Sequence, residues 1–179
     1  MARSLDDIAK QAGGRNRNFT SPPLHLWHPD LSGDIAIRIA ADGRWYHEGS
    51  AITRQALVNL FASILRREED GHYYLVTPAE KWRIQVDLHP LVVTDIDVVP
   101  GSPPQLQASL NTGRQVMVDA LHPLAAETSM QGVPYLALEH GLTALFSRNA
   151  WYRLADVAEP RDGVPVVRSG DYCFELAGD

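Results

Sequence analysis

The chain has one cysteine, Cys173, among its 179 residues. That excludes an internal disulfide and any cysteine-rich zinc site, and it fits a reducing compartment. No apolar run approaches the ~20 residues of a membrane-spanning helix, and the first residues lack the charged-then-apolar build of a secretory signal. The expected location is the cytoplasm. Basic residues are outnumbered, 16 Lys and Arg against 22 Asp and Glu, for a formal charge of −6. A general nucleic-acid binder needs a basic face that displaces counterions, so nucleic acid is not an expected partner. The sequence contains no G-x-S-x-G elbow, no glycine-rich phosphate loop and no H-E-x-x-H pair. No catalytic residue and no cofactor is assigned. No metal site is assigned either, despite seven histidines.

The composition itself, 45% hydrophobic and 21% charged, supports one sizeable core or two small ones. Residues Leu5 to Gln11 predict a short helix capped by Ser4. A polar, mobile arm is expected at Arg15-Asn16-Arg17-Asn18. Prolines flank His25 and His28, which predicts an extended path with the two rings on opposite faces. Ile35, Ile37 and Ile39 alternate as in a half-buried strand, and Asp42-Gly43 predicts a hairpin turn. Trp45 and Tyr46 supply the return strand. From Thr53, a stripe of Leu57, Leu60, Phe61, Ile64 and Leu65 predicts an amphipathic helix closed by Arg66 and Arg67.

Strands are expected at His72–Val76, Lys81–Leu88 and Leu91–Val98. Pro100-Gly101-Ser102-Pro103-Pro104 reads as a join, because it can sustain neither ladder nor helix. Hairpins follow at Leu106–Leu110 with Val116–Ala120, and at Val164–Val167 with Tyr172–Leu176. Ser147 caps a second helix with Trp151, Leu154, Ala155 and Ala158 on one face. Ile35–Leu65 and Tyr135–Ala158 thus repeat one pattern of strand, turn, strand and helix. The expected fold is α+β, in two related halves with mostly antiparallel sheets. The expected divisions are 1–20 for the N-terminal helix and arm, 21–99 for the first half and 100–179 for the second.

The densest polar run is Arg66-Arg67-Glu68-Glu69-Asp70-Gly71-His72-Tyr73-Tyr74, followed by Glu80-Lys81. Arginine forks suit carboxylate or phosphate, and tyrosines add flat faces. The competing reading is a set of ion pairs in which Glu68, Asp70 and Glu80 neutralise the arginines. Asp42 is a turn residue, and Asp34 is read as a cap on backbone N–H groups at a strand entry. Asp95 and Asp97 are read as a solvated strand face. Cys173, between Tyr172 and Phe174, is read as a packing residue.

The first half resembles the bacterial family called domain of unknown function 1285. The resemblance rests on Trp27 and Pro29 before Gly33-Asp34-Ile35, the Asp42-Gly43-x-Trp45 turn, and Ile52-x-Arg54 at the helix start. It extends through Arg66-Arg67-Glu68-x-Asp70-Gly71-x-Tyr73-x-Leu75-Val76-Thr77-Pro78-x-Glu80-Lys81. In the second half Pro134-Tyr135, His140-Gly141-Leu142 and Ser147-Arg148 are its anchors. The resemblance implies a duplicated α+β core, a C-terminal half superficially similar to pleckstrin-homology-like folds, a binding site at the interface of the halves and a role in signal transduction. It implies no activity, cofactor or substrate.

The resulting expectation is a non-enzymatic module that binds a small polar or anionic ligand, or a protein partner, in the groove between its halves. Trp27, Asp34, Arg54, Arg66, Arg67, Tyr74, Glu80 and Lys81 are its candidate binding residues. The alternatives are a small hydrolase or transferase using Asp34, Glu80 or another groove carboxylate with an arginine, and a purely structural interaction module.

Overall fold

Alternation along Ile35, Ile37 and Ile39 does bury one side of a strand. Ile37 and Ile39 are buried, while Asp34, Ala36 and Arg38 face solvent. The computed structural model describes residues 4–13 and 21–176; the expected arm at Arg15–Asn18 lies outside them. The described chain forms two units, one reaching to Pro90 and including His140–Leu142, the other comprising the remainder from Leu91.

In the first unit α1 (Leu5–Gly13) precedes β1 (Leu31–Ile39), β2 (Trp45–His47), β3 (Ser50–Ala51), α2 (Gln55–Ser63), β4 (Leu65–Arg67), β5 (Tyr73–Val76) and β6 (Lys81–Val86). Ser4 caps α1 as expected, its hydroxyl accepting from the Asp6 N–H at 3.2 Å. The strands form one sheet in the order β3-β2-β1-β6-β5-β4, antiparallel except where β1 runs parallel to β6. Phe61 of α2, fully buried, stacks on Trp45 with ring centroids 6.3 Å apart.

The second unit contains β7 (Leu91–Val99), β8 (Gln105–Leu110), β9 (Gln115–Met117), β10 (Leu124–Glu127), β11 (Val133–Ala137), β12 (Thr143–Phe146), α3 (Arg148–Asp156), β13 (Glu159–Arg161), β14 (Val164–Ser169) and β15 (Tyr172–Glu175). Its main sheet has the order β10-β11-β12-β7-β8-β9, and β12 runs parallel to β7. Counted from the first strand of each unit, the two orders are the same. Two three-stranded meanders are joined by a parallel pair made from the unit's first and sixth strands. The fold is α+β, duplicated and mostly antiparallel.

The hairpin-and-helix pattern read from the sequence occurs twice, but in different places in the duplicated order. In the first unit the helix follows the first meander; in the second it follows the last. Ser147 caps α3 as expected, accepting from the Ala150 N–H at 3.2 Å.

Several expectations need correction. The helix predicted to run through Arg67 stops at Ser63, because the next residues pair with β5: Leu65 opposite Leu75, Arg66 opposite Tyr74 and Arg67 opposite Tyr73. The Val76 N–H donates to the Ile64 carbonyl at 2.9 Å, so sheet bonds satisfy backbone groups that a longer helix would have used. Arg66 and Arg67 are therefore strand residues. The buried side of α2 is Leu57, Val58 and Phe61, with Leu60 only half-buried.

The division between units precedes β7, whereas Pro100–Pro104 spans the connection from β7 to its antiparallel partner β8. The proline-flanked stretch closes a turn of 3-10 helix at Leu24–Leu26 instead of staying extended, and the His28 ring bonds back to the His25 carbonyl. Helix α3 ends at Asp156, so Ala158 lies beyond it. Cys173 is exposed, not packed.

Candidate functional site

Strand pairing in the first unit sets one row of side chains across four strands. Asp34 of β1 lies opposite Arg83 of β6, Arg83 opposite Tyr74 of β5, and Tyr74 opposite Arg66 of β4. Paired residues project to the same side of a sheet. The row is therefore a continuous polar line, joined by Lys81 two residues before Arg83 on the same face.

Glu68, just past β4, organises its inner end. One carboxylate oxygen accepts from Arg66 Nη2 at 2.6 Å and the other from Lys81 Nζ at 2.7 Å. The other terminal nitrogen of Arg66 donates to the carbonyls of Leu24 and Trp27, both at 2.9 Å, holding the 3-10 turn against the sheet. The Lys81 ammonium lies 4.8 Å from the Tyr74 ring centroid, a favourable position for a cation over an aromatic face. Burial opposes ionisation of Glu68, but its hydrogen bonds from Lys81 and Arg66 prevail and hold the carboxyl below its usual range. Tyr74, itself buried, donates its hydroxyl to Asp70. That bond raises the phenol to about 12 and lowers the Asp70 carboxyl.

At the solvent end, Arg83 grips Asp34 with two parallel bonds, Nε to Oδ1 at 2.7 Å and Nη2 to Oδ2 at 3.0 Å. The hydrogen bond from Arg83 holds the Asp34 carboxyl low. Asp34 is thus an ion-pair partner and not the backbone cap expected from its position.

Of the predicted residues, Trp27, Arg66, Tyr74 and Lys81 come together around Glu68, and Asp34 joins their row through Arg83. The other three point elsewhere. Arg54 flanks α2 and reaches Asp6 of α1 at 3.4 Å, with both side chains exposed. The Glu80 carboxylate accepts from the Trp82 indole at 3.2 Å. Arg67, next in strand to Arg66, projects to the opposite side of β4. Its Nε donates to the Gly71 carbonyl at 3.3 Å, and its guanidinium carbon lies 5.6 Å from the Tyr73 ring centroid. Its remaining N–H groups have no other hydrogen-bond partner among the described residues.

Sequence reasoning passed over Arg83, although its alternation with Lys81 in one strand was a usable signal. It also left Glu68 and Asp70 outside the site, because their pairing depends on strand register.

The second unit has its own polar cluster, which sequence reasoning did not find. His122 presents Nε2 to Glu139 at 2.9 Å and Nδ1 to Asp119 at 3.2 Å, and Arg114 donates to both oxygens of Glu139 at 2.8 and 2.9 Å. Burial opposes ionisation of Glu139, yet the bonds from His122, the backbone and Arg114 bring it to about 2. His122 Nε2 is engaged by Glu139, whereas Nδ1, close to Asp119, is buried and makes no hydrogen bond among the described residues. Among the described residues, no group of three His, Cys, Asp or Glu side chains is placed to hold a metal ion. No described helix is long and apolar enough to cross a membrane.

Comparison with known proteins places this arrangement. Residues 22–88 match the domain of unknown function DUF1285, N-terminal domain, and residues 90–176 match the DUF1285 C-terminal domain. The chain belongs to the DUF1285 family. The junction between the family's two domains falls where the two units divide. A DUF1285 crystal structure from Silicibacter pomeroyi DSS-3 is similar at 37% identity over 98% of this chain and 96% of that one, with a TM-score of 0.86. Another, from Shewanella baltica OS155, is similar at 30% identity over 68% of this chain and 91% of that one, with a TM-score of 0.58. No functionally curated protein matches the chain.

Proposed function

We propose that this DUF1285 protein is a non-enzymatic cytoplasmic binding module for a small polar or anionic ligand, in keeping with a role in signal transduction. Arg67 is its principal donor. The support for this reading is the difference between the two adjacent arginines. Arg66 is consumed by Glu68 and two backbone carbonyls, whereas Arg67 is exposed, rests over Tyr73 and keeps its terminal N–H groups for another acceptor. A guanidinium steadied on an aromatic ring loses little freedom on engaging carboxylate or phosphate. Arg66, Tyr74 and Lys81, with Trp27, brace the strands from the opposite face through Glu68. Asp34, Arg54 and Glu80 lie outside the Arg67 site.

The hydrolase alternative needs a carboxyl group raised towards neutrality to work as acid or base. Asp34, Glu68 and Asp70 are all held low by their donors.

The test is thermal shift and calorimetry on the full chain with inorganic phosphate, malonate and citrate. Wild type is expected to be stabilised by at least one of these anions. Arg67→Ala should lose that effect while melting normally in its absence, and Arg66→Ala should melt earlier without any ligand. If no anion stabilises wild type, or Arg67→Ala retains the effect, the reading fails and the cluster is purely structural.

A further inference from the structure

The second unit contains a cleft of about 240 Å³ that the polar row does not involve. Its walls come from the end of β7 (Val98), the turn to β8 (Pro103 and Pro104), β8 itself (Leu106), the C-cap of α3 (Val157) and β14 (Val166). These are apolar side chains. Two charged residues complete the lining, Glu159 on β13 and Arg168 on β14. Both are exposed, and neither has a hydrogen-bond or ion-pair partner among the described residues.

Register explains their spacing. Glu159 is paired with Val166, and Arg168 lies two residues further along the same strand and face. Diagonal neighbours of this kind stand roughly 7–8 Å apart at Cα. A carboxylate and a guanidinium so placed, over an apolar floor, offer complementary contacts to one molecule carrying both charges.

We infer that this cleft binds a small zwitterion with an apolar side chain, of the class of the aliphatic α-amino acids. Its carboxylate is held by Arg168, its ammonium by Glu159, and its side chain lies against Val98, Leu106 and Val166. The size agrees: clefts for drug-sized molecules hold about 300–1,000 Å³, so this one takes a molecule of few heavy atoms. An aliphatic acid would leave Glu159 unmatched, and an aliphatic amine would leave Arg168 unmatched.

The experiment is calorimetric titration of the full chain with L-leucine, 4-methylpentanoate and 3-methylbutylamine. Leucine is expected to bind saturably, and each analogue more weakly by about tenfold or more, the loss expected for one charged hydrogen-bonding partner. Arg168→Gln and Glu159→Gln should weaken leucine to a similar degree without lowering the melting temperature, since both side chains are exposed. Arg67→Ala should leave leucine binding intact, which separates this site from the anion site of the first unit. Absence of saturable leucine binding overturns the inference, as does an analogue binding as tightly as leucine. So does binding that is indifferent to both charge-removing variants.

Discussion

Tyr74 donates its hydroxyl to the carboxylate of Asp70, and each partner shifts the other's proton affinity in the opposite direction. The phenol, raised from 10.0 to about 12 in the folded protein, contributes stability below its unfolded value that is lost as pH rises through the folded one. Asp70, lowered in the folded state, contributes stability above its unfolded value that is lost as pH falls through the folded one. Ultraviolet titration of the six tyrosines should show one that ionises near 12, and Asp70→Asn should bring it back towards 10.0. Absence of any tyrosine ionising near 12 would contradict the bond.

Glu68 serves two cations in a partly buried setting, and Asp34 serves one at the surface. Glu68→Gln leaves Arg66 and Lys81 with a neutral acceptor and should cost about 1–3 kcal/mol, the usual loss for an under-satisfied charged partner. Asp34→Asn breaks a well-formed but solvent-screened pair and should scarcely move the urea midpoint. Equal effects from the two variants would mean that burial does not decide which pair matters.

Phe61→Ala should cost about 3–5 kcal/mol, the transfer energy of the ring plus the cavity left behind. Its stacking partner Trp45 is also buried, so that cavity cannot easily collapse. Leu60→Ala should cost clearly less, because Leu60 is only half-buried. Urea unfolding of the two variants measures the helix phase directly, and a larger loss from Leu60 would reverse it.

Glu139 is expected to contribute to the acid dependence of the second unit. Its folded value near 2 lies below the usual 4.5, so its stabilisation is present above about 4.5 and lost as pH falls towards about 2. Glu139→Gln should flatten that limb of the stability curve while leaving the alkaline limb unchanged. An unaltered acid limb in the variant would show that other carboxylates set it.

Local chemistry made much of this fold readable. Alternating isoleucines announced β1, Asp42-Gly43 announced a turn whose Arg44 N–H bonds to the Asp42 carboxylate, and Ser147 announced α3. The failures were non-local. Ile64 and Leu65 continue a helical stripe, and only pairing with Tyr73–Leu75 makes a strand of Leu65–Arg67. Leu124–Glu127 is too poor in β-branched and aromatic residues to read as a strand, and is held by register with β11. In the candidate site, the composition of the run from Arg66 to Lys81 flagged a polar cluster, but which arginine is occupied and which is open depends on Glu68 and on strand alternation.

The parallel joint in each sheet carries a consequence for biogenesis. It unites a unit's first and sixth strands, for example Leu31 with Lys81 in the first. Loop-closure entropy makes such distant pairings late to form, and topologies that depend on them are slow. On the ribosome, β1 must wait, its edge unpaired on that side, until β6 has been synthesised. The second unit imposes the same delay on β7. During that interval the chain exposes strand edges that the finished sheets pair internally.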